Sequence, residues 1–185
     1  MTSPADSPVI AKLVSESGIE VSLPPGGFRF AEASAYRSLS GQGVKEIDFG
    51  WWDANGRRLV LLEVKGREVW DAPPPASPHQ HLLDVCAQKA VDTLLMLSAT
   101  WLGTAIGSAL RQDLPTEAQT YPGDGRVKLV FLIDVPDEKR ELLIAVRDDL
   151  NARLRGKLAL FGIRVVTVVT LETAEKMGLP VRRAA

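Results

Sequence analysis

In EIDFGWWDANGRRLVLLEVKG, Glu46 to Gly66, two apolar-rich runs flank Asn55-Gly56, and at their outer ends, Glu46 to Phe49 and Leu62 to Lys65, polar and apolar positions alternate with period two. Side chains of a strand point to opposite faces in turn, so the pattern predicts two half-buried strands joined as a hairpin. Asn-Gly favours a two-residue type I′ turn. That turn sets Ala54 against Arg57, Asp53 against Arg58, Trp51 against Val60 and Phe49 against Leu62. Continued outward, Asp48 faces Glu63 and Glu46 faces Lys65. One face then carries Ile47, Phe49, Trp51, Val60, Leu62 and Val64 as core, and the other carries Glu46, Asp48, Glu63 and Lys65. A four-residue loop from Asp53 to Gly56 would slip the pairing by two and set Glu46 against Glu63, with the acidic face retained.

Elsewhere the rhythm changes. Residues 1–8 read as a disordered leader, Val9 to Val21 as one or two short strands, and Pro24 to Gly27 as a turn. Phe28 to Gly43 is helical in its middle, and Pro-rich Asp71 to Gln80 is a stiff loop. From about His81 to about Leu110 the chain is apolar nearly all round, which predicts one long buried helix. Asp113 to Arg126 is polar and rich in turn residues. VKLVFLIDV, Val127 to Val135, is a continuous apolar run and reads as a central strand. A helix begins at Pro136-Asp137-Glu138 and keeps Leu142, Leu143, Val146, Leu150, Leu154 and Leu158 at helical spacing. Gly162 closes it, and IRVVTVVTL follows as a strand. Strand, helix, strand without a hairpin turn is a βαβ unit with parallel strands. The expectation is one mixed α/β domain over residues 9–185.

Composition changes this picture little. With 185 residues, 45% of them hydrophobic, the chain can bury a substantial core, and a net charge of −1 gives no overall basic field. The single Cys86 excludes an intrachain disulfide framework and fits a reducing, cytoplasmic setting; its apolar neighbours predict a buried thiol. Thr93 to Leu110 has no ionisable side chain across 18 residues, the lower edge of membrane-spanning length. Thr, Ser and Gly dilute it, so a buried helix packed closely through Gly103 and Gly107 is the preferred account, ahead of a membrane segment.

The chemistry concentrates in the hairpin. Like charges directly opposite one another destabilise a ladder, with Cβ atoms about 4.5–5.5 Å apart. Two carboxylates at that spacing can share one divalent cation such as Mg²⁺ or Mn²⁺. Lys65 projects to the same side and can orient water or stabilise phosphate charge, while Gly66 permits a close backbone approach. The plainer alternative is a solvated strand face. His79 and His81 lack further metal-ligating companions, no phosphate-binding Gly-rich loop occurs, and a Ser-His-Asp triad has few candidates. Trp51, Trp52, Trp70 and Trp101 could stack bases, Trp51 being the most core-like and Trp52 and Trp70 lying nearer the acids. Arg57, Arg58 and Arg67 around the hairpin, and Arg147, Arg153, Arg155 and Lys157 on the C-terminal helix, are candidate phosphate contacts.

Asp48, a spacer, then Glu63-Val64-Lys65 on an apolar strand resembles the PD-(D/E)xK nuclease superfamily, over Phe28 to about Val135. The resemblance implies a restriction-endonuclease-like mixed β-sheet flanked by helices, here with a C-terminal βαβ unit. It implies Asp48 and Glu63 as metal ligands with the Val64 carbonyl, Lys65 as the catalytic lysine, Glu32 as an additional acid and Gln88 as a supporting polar residue, with Glu46 nearby. Ile47 stands where the family's proline would be. The implied reaction is metal-dependent phosphodiester hydrolysis, on DNA ahead of RNA. The alternative is an inactive module of the same fold that binds a protein partner or dimerises through the apolar 93–110 helix.

Overall fold

The computed structural model describes residues 11–71 and 77–184; the leader and the centre of the Pro-rich loop fall outside them. Two sheets and their helices make a mixed α/β arrangement. The larger sheet runs β3 (Phe49–Asp53), β4 (Arg58–Lys65), β5 (Val127–Ile133) and β6 (Thr167–Val169) in spatial order. β3 is antiparallel to β4, and β4, β5 and β6 are mutually parallel. The smaller sheet is antiparallel, with β2 (Ile19–Leu23) between β1 (Lys12–Glu16) and β7 (Val181–Arg183).

Parallel strands are usually covered on both faces, and β4 and β5 have the unbroken apolar sequences that this requires. On one face Phe49, Trp51, Val60, Leu62 and Val64 pack with Ile19, Val21 and Leu23 of the small sheet. On the other, Leu59, Leu61, Leu129 and Phe131 pack beneath α2 (Pro78–Leu102) and α4 (Arg140–Ala159). The face expected to carry acids into solvent is therefore roofed by helices. Ile47 is buried, but it belongs with the α2 side rather than with Phe49 and Trp51.

The hairpin register is the expected one, from Phe49 opposite Leu62 to Asp53 opposite Arg58. The turn is not. Arg57, rather than Asn55 or Gly56, takes the left-handed conformation (φ +48°), and the paired positions close at Asp53 and Arg58. The Asp53 carboxylate organises the loop by accepting from the Gly56 N–H at 3.1 Å and from Arg58 Nε at 3.0 Å. A Cβ at Gly56 would fall 2.5 Å from Asp53 Oδ2, so any larger residue there would shift this carboxylate. An aspartate side chain has replaced the backbone geometry on which the type I′ expectation rested.

The long helix is two. Ser77 caps α2 with Pro78 as its first residue, three positions before the expected start. Gly103 ends it in the left-handed conformation (φ +68°), Thr104 caps α3 (Ala105–Arg111), and the axes bend by 94°. Among the described residues no single helix is long and apolar enough to cross a membrane. Gly107 is indeed a close-packing point: a Cβ there would overlap the Ala99 carbonyl and lie 2.6 Å from Thr100 N. In α4, Leu143, Val146, Leu150, Leu154 and Leu158 form the buried stripe, while Leu142, one position off that stripe, is exposed. The last expected strand shortens to β6; α5 (Leu171–Lys176) and β7, which the pattern did not predict, complete the chain.

Gly107→Ala is expected to destabilise by about 1–3 kcal/mol through overpacking. Gly156→Ala, with nothing near its added methyl on an exposed turn of α4, is expected to stabilise by about 0.5–1 kcal/mol. Urea midpoints of the two variants check both signs.

Candidate functional site

The segment entering β3 carries no ladder of its own before Phe49. Its backbone groups go to one side of α2 instead. The Gln88 amide donates to the Gly43 carbonyl at 3.0 Å, Asp92 accepts from Lys45 N at 3.0 Å, and buried Thr93 Oγ1 accepts from Ile47 N at 2.8 Å. Residues 88 and 92, and 89 and 93, lie one turn apart and share that side. Glu46 is consequently not opposite Lys65; its carboxylate accepts the Tyr36 hydroxyl, and burial together with that negative charge pushes the phenol well above its usual range.

Asp48 sits one residue outside the ladder and extends it with its side chain. Its Oδ2 accepts from the Val64 N–H at 2.9 Å, and its carbonyl accepts from Arg29 Nε at 3.3 Å. Glu63 projects from β4 under α2 and is fully enclosed, with 0% of its surface exposed. The two acids therefore do converge.

The group that joins them is a residue that the spacing argument passed over. Lys89, on α2, directs its ammonium at both carboxylates: Nζ is 2.8 Å from Asp48 Oδ1, 2.9 Å from Glu63 Oε2 and 2.7 Å from Glu63 Oε1. Lys65 Nζ lies 2.7 Å from the same Oε1. Two acids and two lysines balance formally, and the repulsion expected between Asp48 and Glu63 is met by a shared ammonium. Among the described residues Oε1 nonetheless accepts no well-directed hydrogen bond, although two ammonium groups crowd it. One signal for Lys89 existed in the sequence: it is a lone cation in a helix whose neighbours Cys86, Ala87 and Ala90 are all apolar and buried. A lysine in such a place is rarely left without an acidic partner.

Burial raises the Glu63 carboxyl first, and the Asp48 charge adds to it; the two lysines pull against them, and the result is about 7. Burial works against the Lys89 charge, but Glu63 and then Asp48 outweigh it and hold the ammonium protonated well above the ordinary lysine range. The Cys86 thiol is pushed up to about 12 by burial and then by Glu63, an inert neighbour of the site.

Other nominated residues lie elsewhere or are already engaged. Glu32 is half-exposed and its carboxylate is engaged by Lys12 at 2.7 Å. Gln88 is spent on Gly43. Trp70 is 3% exposed and donates its indole N–H to the Asp134 carbonyl at 3.0 Å, so it offers no stacking face, and Trp52 packs against the core. Arg58 serves Asp53, and with Arg57 it lies at the far end of the hairpin. Arg67, two residues past Lys65, is half-exposed and paired with Asp134 at 3.2 Å. Gly66 is needed for the Ser17 carbonyl, 2.5 Å from where a Cβ would sit, rather than for a ligand. On the outer side, Lys65 borders a depression of about 290 Å³ together with Ser17, Glu68, His81, Leu82 and Val85.

Among the described residues no three His, Cys, Asp or Glu side chains gather as a metal cluster. A magnesium ion does not require three: it commonly takes one or two carboxylates and completes its shell with water and phosphate oxygens. Asp48 and Glu63, with Oε1 lacking a directed partner, fit that demand. No family model, curated protein or solved structure matches the chain at a significant level.

Because the folded Glu63 pKa lies above its ordinary 4.5, the folded state holds that proton more tightly than the unfolded chain does. Stability from this group is complete below about pH 4.5 and declines as pH rises toward about 7. The Glu63 carboxyl, followed by carbon-13 NMR, is expected to titrate near neutrality. Glu63→Gln is expected to flatten the fall in stability over that window.

Proposed function

We propose that this chain is a metal-dependent nuclease hydrolysing phosphodiester bonds, with DNA ahead of RNA as substrate. The observation that carries the reading is the convergence of the Asp48 and Glu63 carboxylates on one cationic point, with the Lys65 ammonium beside it. The order of hairpin, helix, parallel strand and helix from β3 through α4 is in keeping with a restriction-endonuclease-like core, and it sets both acids toward the C-terminal end of β4.

Asp48 and Glu63 would hold Mg²⁺ or Mn²⁺. A cation so held supplies a polarised phosphate and a bound water of lowered pKa. Lys65 is placed to orient that water or to meet the negative charge gathering on the phosphate. The Asp48 carboxylate is kept in position by the Val64 N–H, and the α2 roof limits bulk water around Glu63. Arg67 is the candidate phosphate contact nearest to Lys65 along the chain.

A second reading rests on one specific observation. Glu63 is enclosed and its charge is already answered by lysines, as befits an inactive module of the same fold that engages a protein partner. The apolar 93–110 segment buries one side, while Leu95, Leu102 and Ile106 are exposed on it.

Incubation of the protein with DNA and RNA in Mg²⁺ or Mn²⁺ is expected to give cleavage that chelation abolishes. Glu63→Gln and Lys65→Ala are each expected to lower the rate about 10²–10⁴-fold. Absence of cleavage under either metal, or full activity in both variants, would remove the nuclease reading and leave the inactive module.

A further inference from the structure

Lys89 occupies the point at which a cation shared by Asp48 and Glu63 would have to sit. Its nitrogen lies 2.7–2.9 Å from oxygens of both carboxylates. Magnesium draws its oxygen ligands to about 2.0–2.1 Å and tolerates little departure from octahedral geometry. An ammonium and a divalent ion cannot share that space, and their charges repel.

Three features make the lysine a substitute rather than a fixed strut. The Lys89 side chain is 14% exposed, whereas that of Glu63 is fully enclosed. Its four-carbon stem is flexible, and a single χ change moves the nitrogen several ångströms. Both ammonium groups lie 2.7 Å from Glu63 Oε1, yet among the described residues it accepts no hydrogen bond of good geometry, so it keeps capacity for a further cation contact.

We propose that Lys89 is an internal competitor for the divalent cation, seated between Asp48 and Glu63 when none is bound and displaced when one enters. The inference rests on the metal-site reading above and adds to it that the site is guarded by its own roof helix. Bringing two buried carboxylates together without a cation is costly; Lys89 removes that cost during folding and makes the empty site stable. Its consequence is that the observed metal affinity is the intrinsic affinity reduced by the fraction of molecules in which the lysine has left.

Calorimetric titration of Mn²⁺ separates the possibilities. Lys89→Met is expected to bind Mn²⁺ at least ~10-fold more tightly than the unaltered protein, because the competing state is gone. Lys89→Arg, which keeps a cation in the seat, is expected to stay at or below the original affinity. Adding Glu63→Gln to Lys89→Met is expected to abolish the gain. Equal or weaker binding in Lys89→Met, or binding in neither protein, overturns the proposal. Should Lys89→Met not fold, nitrogen-15 NMR of the lysine ammonium groups in the unaltered protein decides: Mg²⁺ must shift the Lys89 signal, and an unmoved signal overturns the proposal. Cleavage assays keep the two readings apart. Tightened metal binding without cleavage leaves the competitor standing and removes the nuclease, whereas cleavage with unchanged affinity does the reverse.

Discussion

One shared ammonium holds the centre of this molecule together. Asp48 and Glu63 meet under a helix where water cannot screen them, and such a pair would otherwise force a proton onto one acid or push the strands apart. Lys89 reaches down from α2 to both. Strand, helix and entering segment are thereby tied at a single point, and the neighbouring contacts of Gln88, Asp92 and Thr93 extend the tie along the same helix side. One turn and a half of α2 thus meets much of the polar burial here, with the Val64 N–H and Lys65 supplying the rest for the two acids.

The arrangement has two chemical faces. To the protein it is a neutral cluster that lets a parallel sheet be covered on both sides. To a ligand it is a carboxylate pair with a lysine at its outer rim, next to a depression open to solvent. The difference between a structural ion cluster and a catalytic one is whether the central cation can be exchanged. On the proposed reading, the mobility of Lys89 on α2 matters as much as the identity of the acids.

Legibility from sequence divides along physical lines. The register of the hairpin was readable because alternation and an Asn-Gly turn signal agree, and the register survived even though the turn was built differently by Asp53 and Arg57. The βαβ unit was readable because an apolar run, a helical stripe and a second run leave little choice. The break at Gly103 was hidden, since apolar periodicity continues into α3 while the axis turns. Lys89 was hidden for another reason. Which residue of a buried helix meets a strand depends on its rotation about its own axis, and that is set by tertiary contacts such as Thr93 with Ile47. Gln88 and Lys89 differ by one position and about 100°, enough to separate a loop contact from the centre of the site. β7 was beyond local reading because a three-residue strand exists only through its partner.

That partner is β2, near the other end of the described chain. The small sheet cannot close until residues 181–183 are available to pair with residues 19–21, and this sheet covers the Phe49, Trp51, Val60 and Leu62 side of the hairpin. Contacts of such sequence separation form late and fold slowly. Until β7 docks, the β1–β2 hairpin alone backs this face of the large sheet, and its seal stays one strand short.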